Sequence, residues 1–140
     1  MTMQNAEGKL YLGVDPGSSK TGLALVDAEG NIQKLLIARK ESFTDDVANF
    51  SQNVTIEAVI LGNGTHSKEI SEEIAKLLPG KNQYFVGEAY STEEARKLYW
   101  EVNPPQGLKK FVPLGLLSPS EPLDAYAAVV QVRRWLAQQK

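Results

Sequence analysis

Apolar and polar residues alternate along the first part of the chain, and this alternation predicts β-strands. Residues 9–15 alternate in this way, and residues 21–27 do so again, with the small residues Gly22 and Ala24 on one face. The turn-forming sequence DAEGN then separates the second run from a third apolar run at residues 32–39. Because only short turns join these three runs, we expect them to form an antiparallel meander.

The pattern changes to helical spacing after Ser42, where apolar residues recur every three or four positions. Two further apolar runs, EAVIL and QYFVGE, predict short strands between these helices at residues 57–61 and 83–88. The predicted helices cover residues 43–50, 66–78, 91–101 and 121–138. Strands that alternate with helices form right-handed parallel crossovers. The sequence therefore predicts an α/β fold in which residues 1–140 form one domain.

Composition limits the classes of function. The 140 residues include no cysteine, which excludes disulfides, thiolate zinc sites and cysteine nucleophiles and fits a reducing compartment. There is no apolar signal region in MTMQNAEGK and no apolar run of membrane-spanning length, so we expect a cytoplasmic protein with no membrane partner. The net charge of −2 does not indicate a broad nucleic-acid-binding surface. A metal site made of carboxylates would itself lower the net charge, so charge alone leaves this question open.

Acidic side chains stand at three marked positions of the predicted fold. Asp15 ends the first strand, Glu88 ends the fifth, and Asp124 lies in the first turn of the last helix, with Glu121 one turn before it. In an open α/β sheet, ligands bind at the carboxyl ends of the parallel strands. We therefore expect Asp15 and Glu88 to share one edge of the sheet, and a helix laid across the sheet to bring Asp124 to the same place.

Carboxylates that share a small volume repel one another, and bound cations relieve that repulsion. Mg²⁺ and Mn²⁺ are hard ions that prefer oxygen ligands and also bind substrate phosphates. Two such ions about 4 Å apart can stabilise both the attacking and the leaving oxygen of a phosphoryl transfer. The three acids therefore predict Mg²⁺ or Mn²⁺ as the cofactor, with two ions in a nuclease.

Each of these acids also has an ordinary structural interpretation. Asp15 precedes Pro-Gly and is suited to a turn, and Glu88 is suited to a solvated loop. The helix dipole favours acids such as Glu121 and Asp124 near any helix N-terminus, and Glu121 also has the position of a capping residue. The metal prediction therefore depends on the combination and order of the acids.

Four residues are candidates for contacts with a substrate. Gly17 allows close approach of the backbone to a ligand, and Lys20 follows it at a distance suited to a phosphate contact, although both also fit a solvated turn. Residues 102–120 form a long segment with four prolines and two glycines, and long loops are often functional. This segment contains Lys109 and Lys110, which we expect to contact the substrate.

Four segments resemble motifs of the YqgF-like and RuvC-like nucleases, which belong to the RNase H-like superfamily. GVDPGSSKTGLALVD is similar to the first motif, with its Gly-x-Asp-x-Gly, a basic residue, Gly-x-Ala and a final Asp. AVILGNGTHSKEISEEI resembles a strand, a glycine-containing loop and the helix after it. VGEAYSTEEARKLYW and EPLDAYAAVVQVRRWL resemble the second and last acidic motifs. The resemblance extends over residues 9–138.

This resemblance implies an RNase H-like fold, a five-stranded mixed sheet with its first three strands antiparallel and with flanking helices. It implies that Asp15, Glu88 and Asp124 bind divalent metal and take part in catalysis together with Glu121. The activities known in the family are the resolution of Holliday junctions, which are branched DNA, and the processing of precursor ribosomal RNA.

Two departures from the family pattern leave the substrate open. Ala89 follows Glu88 where YqgF-like proteins usually have an arginine, and Lys20 stands where arginine is common. Lysine cannot make the same bidentate phosphate contact as arginine.

The leading hypothesis is a metal-dependent endonuclease that acts on branched DNA or structured RNA. A homodimer would suit a junction cut at two symmetric strands. The alternative is a nucleic-acid-binding protein that has kept the fold and lost most or all catalysis. A sugar-kinase-like or actin-like ATPase shares the Asp-x-Gly hairpin, but those enzymes need a second such domain and a longer chain.

Overall fold

Five strands form a mixed sheet in the computed structural model, which describes residues 9–89, 91–119 and 121–139. The strands are β1 (Leu10–Asp15), β2 (Lys20–Asp27), β3 (Ile32–Arg39), β4 (Ile56–Gly62) and β5 (Gln83–Val86). Their order across the sheet is β3-β2-β1-β4-β5. The β1–β2 and β2–β3 pairs are antiparallel, and the β1–β4 and β4–β5 pairs are parallel. The prediction of a mixed sheet with three antiparallel strands first is confirmed.

Four α-helices cover the two faces of the sheet, namely α1 (Phe43–Phe50), α2 (Ser67–Leu77), α3 (Ser91–Val102) and α4 (Asp124–Gln138). Helices α1 and α2 pack on one face, and α3 and α4 pack on the other. Short 3-10 turns add Lys40–Ser42, Gly107–Phe111 and Leu114–Leu116. The predicted helix at residues 66–78 is one residue shorter at each end. The predicted loop at residues 102–120 contains the last two 3-10 turns.

Apolar residues of the central strand β1 point to both faces of the sheet, because helices cover both faces. Leu12 and Val14 pack with α1 and α2, whereas Tyr11 packs with α3 and α4. Strand β4 lies beside it and is buried on both faces, which accounts for its nearly continuous apolar sequence. Burial of apolar surface on the two faces of one sheet is the main source of stability in such a fold.

Small residues let α4 lie directly on the sheet. A Cβ atom on Gly13 of β1 would overlap the carbonyl oxygen of Ala128 and lie 2.7 Å from Cγ2 of Val132. Residues 125–132 of the helix are all buried. This close crossing fixes where the first residue of α4 stands relative to the end of β1.

Two predicted boundaries near the acids are wrong. Strand β5 ends at Val86, which pairs with Gly62, so Glu88 lies in the following loop. Helix α4 begins at Asp124 and not at Glu121. Glu121 precedes Pro122, and a proline disfavours helical backbone in the residue before it. The N-cap of α4 is Leu123 and makes no side-chain capping bond, so Glu121 is not part of a capping box. In the described residues, no helix has both the length and the apolar character needed to cross a membrane.

Candidate functional site

Asp15 and Asp124 meet at the carboxyl end of β1. Asp15 is the last residue of this strand and pairs with Gly22 of β2. A Cβ atom on Gly22 would overlap the backbone carbonyl group of Asp124 and lie 2.7 Å from the backbone nitrogen of Ala125. The first turn of α4 therefore rests on the residue that pairs with Asp15. This contact explains the small residue at position 22.

Glu88 reaches the same edge from the loop that follows β5. Its Oε2 atom lies 2.5 Å from the position of a Cβ atom on Gly62, and its Oε1 atom lies 2.5 Å from that position on Gly64. Gly62 ends β4, the strand next to β1. The carboxylate of Glu88 therefore lies above the end of β4, in space that any larger residue at these two glycines would occupy.

The charges of the three acids interact. The pKa of the Asp15 carboxyl is raised from 3.8 to about 7, chiefly by burial and in addition by the nearby negative charges of Glu88 and then Asp124. A carboxyl with such a pKa is one whose ionised form the folded protein stabilises less than water does. The structure thus brings together the three acids that the sequence singled out.

Lys20 stands beside these acids. Its Nζ atom lies 3.8 Å from Oδ2 of Asp124, and both side chains are partly exposed. The turn leaves no space for a side chain at position 17, since a Cβ atom on Gly17 would overlap the carbonyl oxygen of Lys20. The conformation of the turn is thus one sufficient reason for glycine at position 17, while Lys20 is placed next to the acids.

The other predicted site residues lie apart from this group. Glu121 is exposed and borders a surface groove with Ile37 and Tyr126. Lys109 and Lys110 are exposed in the 3-10 turn Gly107–Phe111. No contact within the described residues joins Glu121 or these lysines to the three acids.

Whether these acids fit a metal ion can be judged from their chemistry. Asp15, Glu88 and Asp124 offer oxygen atoms only, the donors that Mg²⁺ and Mn²⁺ prefer. Burial and the negative charges of Glu88 and Asp124 together raise the pKa of Asp15, and a bound cation would favour its ionised form. Among the described residues, however, no three His, Cys, Asp or Glu side chains already form a ligand set. The donors therefore fit a hard divalent ion, and such an ion would have to draw the carboxylates closer together.

Further residues at this edge were not found from the sequence. Gly62 and Gly64 follow an apolar strand as LGNG, and glycine at a strand end is a signal of close approach. Gln131 of α4 is fully buried, and its amide nitrogen lies 2.8 Å from the Cβ position on Gly62. Arg134 of α4 bonds to the loop that carries Glu88. Contacts of these two helix residues join distant parts of the chain, and sequence spacing does not indicate them.

Comparisons with known proteins give a likeness of fold. No protein-family model matches the chain, and no curated protein matches its sequence. The structure of Thermus thermophilus RuvC superposes with a TM-score of 0.52 at 12% identity, over 93% of this chain and 95% of that chain. Proteins of the ROK family also match, and the two described next have TM-scores below 0.5.

The first ROK protein is a transcriptional regulator, a homologue of the E. coli MLC protein, with a TM-score of 0.47 at 14% identity over 67% of this chain and 31% of that chain. The second is a ROK family glucokinase from Streptomyces griseus in complex with glucose and AMPPNP. Its TM-score is 0.44 at 19% identity, over 70% of this chain and 38% of that chain. The chain thus spans about a third of these two proteins, and nearly the whole of RuvC. It has an α/β fold of the RNase H-like class, and within that class its fold resembles that of RuvC.

Proposed function

We propose that this protein is a divalent-metal-dependent endonuclease that cuts branched DNA. The observation that carries the proposal is the meeting of Asp15, Glu88 and Asp124 at one edge of the sheet, from β1, the loop after β5 and the start of α4. The RuvC-like fold supports it, because the likeness extends over nearly all of both chains. Structured RNA is the second substrate class, as the YqgF-like resemblance implies.

In this proposal, Asp15, Glu88 and Asp124 hold Mg²⁺ or Mn²⁺. The proposal includes two bound ions. Such ions would stabilise the charge on the attacking and leaving oxygens of phosphodiester hydrolysis. The residues of the chain would hold the ions and the substrate, and Lys20, whose Nζ atom lies 3.8 Å from Oδ2 of Asp124, would contact a phosphate next to the acids. Glu121 would have to approach from its exposed position before α4 in order to contribute.

The segment before α4 suits a nucleic acid that is not a regular duplex. Its apolar side chains Leu108 and Phe111 are 85% and 76% exposed, and Lys109 and Lys110 lie between them. Lysines bind the phosphate backbone, and exposed aromatic rings stack on bases that are free of pairing. Branched DNA and structured RNA both offer such bases. We expect this activity in the cytoplasm, with a homodimer if two symmetric strands are cut.

The test is a cleavage assay with Mn²⁺ on four-way DNA junctions, duplex DNA and structured RNA. Wild type is compared with Asp15→Asn, and with Asp45→Asn as a matched control, since Asp45 is an exposed acid on α1. We expect cleavage of the junction by wild type and Asp45→Asn and its loss in Asp15→Asn. Cleavage of the RNA alone would favour the second substrate class. Junction binding without cleavage of any substrate would favour the alternative of an inactive binding protein.

A further inference from the structure

Glu88 lies in a loop that the sheet does not hold. Strand β5 ends at Val86, two residues earlier, and its last pairing is with Gly62. No atom lies within 4 Å of the Cβ position on Gly87, so the residue before Glu88 faces open space. A side chain that must hold a metal ion needs a defined backbone position. Outside the sheet, the amide of Ser91 at the start of α3 donates a hydrogen bond of 3.1 Å to the carbonyl oxygen of Glu88, and α4 provides further contacts.

Arg134 of α4 bonds to this loop on both sides of Glu88. Its Nη1 atom donates a hydrogen bond of 2.7 Å to the carbonyl oxygen of Gly87, and its Nη2 atom donates one to the carbonyl oxygen of Ala89. Glu94 of α3 accepts from Nε at 3.3 Å and lies 3.0 Å from Nη2. The guanidinium group thus holds the backbone on either side of Glu88, while Glu94 orients the guanidinium group.

The same helix carries Asp124 and Arg134. They are ten residues apart, which is about 15 Å along an α-helix. On the other side of the loop, the carboxylate of Glu88 rests above Gly62 and Gly64. A single rigid element therefore carries one acid and fixes the loop of a second acid relative to it.

We propose that Arg134 is a positioning residue, which sets the carboxylate of Glu88 for metal binding at the site proposed above. This inference rests on the proposed metal site. The planar guanidinium group suits the role, because it can donate to two separate carbonyl oxygens in a fixed geometry, whereas an ammonium group cannot. Loss of residues that orient metal ligands reduces metal affinity by about 10- to 100-fold.

The sign of the change in metal affinity on loss of Arg134 distinguishes a positioning role from a purely electrostatic one. Arg134 is a cation, so its removal makes the surroundings of the site more negative. By charge alone, the loss of Arg134 would therefore strengthen the binding of a divalent cation. If Arg134 acts by holding the loop, its loss weakens binding instead.

The adjacent residue Arg133 provides a matched control. It lies on the same helix, and its Nε atom donates a hydrogen bond of 2.9 Å to the carbonyl oxygen of Gly30, in the turn between β2 and β3. Arg133→Gln therefore removes the same charge and a comparable contact with a loop, but not a contact with the loop of Glu88.

The experiment measures Mn²⁺ affinity by calorimetry on the full chain, and thermal unfolding of each variant without metal. We expect Arg134→Gln to bind Mn²⁺ about tenfold more weakly than wild type, and Arg133→Gln to bind it within about twofold. Arg134→Lys should lie between Arg134→Gln and wild type, and it provides the test if Arg134→Gln does not fold. The double variant Glu88→Gln/Arg134→Gln should bind as Glu88→Gln does, because Arg134 acts through Glu88.

Three results would overturn this inference while leaving the proposed function intact. They are unchanged or tighter Mn²⁺ binding by Arg134→Gln, an equal loss in Arg133→Gln, or fully additive losses in the double variant. Failure of wild type to bind Mn²⁺ would remove the proposed function and this inference together. The wild-type titration therefore distinguishes the two failures.

Discussion

The Nζ atom of Lys20 lies 3.8 Å from Oδ2 of Asp124, so a positive charge of the protein itself already stands next to the proposed metal ligands. This ion pair joins the start of β2 to the start of α4. In the absence of metal, it provides part of the charge compensation that a divalent ion would supply. The lysine and the ion should therefore compete for Asp124.

Removal of this lysine should strengthen metal binding and weaken the proposed reaction. Since exposed ion pairs contribute about 0–1 kcal/mol, we expect Lys20→Met to bind Mn²⁺ up to about fivefold more tightly by calorimetry. Cleavage should nevertheless slow, because a phosphate contact is lost. Lys40→Met is the control for general charge, because Lys40 is exposed near the same turn without contacting Asp124 in the described structure. Weaker Mn²⁺ binding by Lys20→Met would contradict competition.

The raised pKa of Asp15 predicts how stability depends on pH without metal. Between pH 4 and pH 7 the Asp15 carboxyl is ionised in the unfolded chain but keeps its proton in the folded protein, where the pKa of this carboxyl is about 7. The unfolded state thus binds fewer protons, and stability falls as pH rises through this range, by about 1.4 kcal/mol per pH unit at most. The penalty is absent below pH 3.8 and complete above pH 7.

Asp15→Asn lacks this ionisation. In EDTA at pH 7.5, we therefore expect it to unfold at a higher temperature than wild type, and near pH 4 the difference should vanish. Mn²⁺ should raise the unfolding temperature of wild type but not that of Asp15→Asn, since a ligand that binds only the folded state stabilises it. Thermal unfolding at several pH values checks both statements. Parallel pH profiles for the two proteins would show that Asp15 does not carry the effect.

Much of the fold followed from the sequence because its patterns are local. The alternation in β1 and β2 and the apolar run of β4 predicted the sheet, and parallel crossovers placed Asp15 and Glu88 at one edge. The bounds of β3 and of α1 were also predicted correctly. These features depend on residues within a few positions of one another.

What sequence reasoning did not find depends on contacts between distant segments. Arg134 bonds to Gly87 across 47 positions, and no periodicity indicates such a pair. Helix α4 starts three residues after the predicted start at Glu121, because Pro122 disfavours helical backbone in the residue before it. The roles of Asp15, Glu88 and Asp124 as metal ligands stay predictions.

Gly22 should be required for the position of Asp124. A Cβ atom at this position would overlap the backbone of α4, so Gly22→Ala has to push the start of the helix away. We expect the free energy of unfolding to fall by about 1–3 kcal/mol, and Mn²⁺ binding to weaken. Gly115→Ala is the control, since open space surrounds its Cβ position. Chemical denaturation measures the stability of both variants. Equal losses in the two variants would contradict the close contact.

Gln131 should destabilise the metal-free protein. Its side chain is fully buried, and neither its amide oxygen nor its amide nitrogen has a hydrogen-bond partner in the described structure. A buried polar group without a partner costs about 1–3 kcal/mol. Gln131→Met has a similar shape and no such cost, so we expect a higher unfolding temperature in EDTA. A lower unfolding temperature would indicate that a bound water satisfies the amide.

The exposed lysines before α4 should contribute to binding through phosphate contacts. Lys109→Ala/Lys110→Ala removes two cations, so we expect weaker binding of a four-way junction at low salt. The slope of log affinity against log salt concentration should decrease by roughly 1.5–2, and the two proteins should converge at high salt. Lys76→Ala/Lys81→Ala is a control of equal charge, because both lysines are exposed, Lys76 in the last turn of α2 and Lys81 in the loop before β5. An equal loss of affinity in both double variants would mean that net charge accounts for binding, and an unchanged slope in Lys109→Ala/Lys110→Ala would remove this segment from the interface.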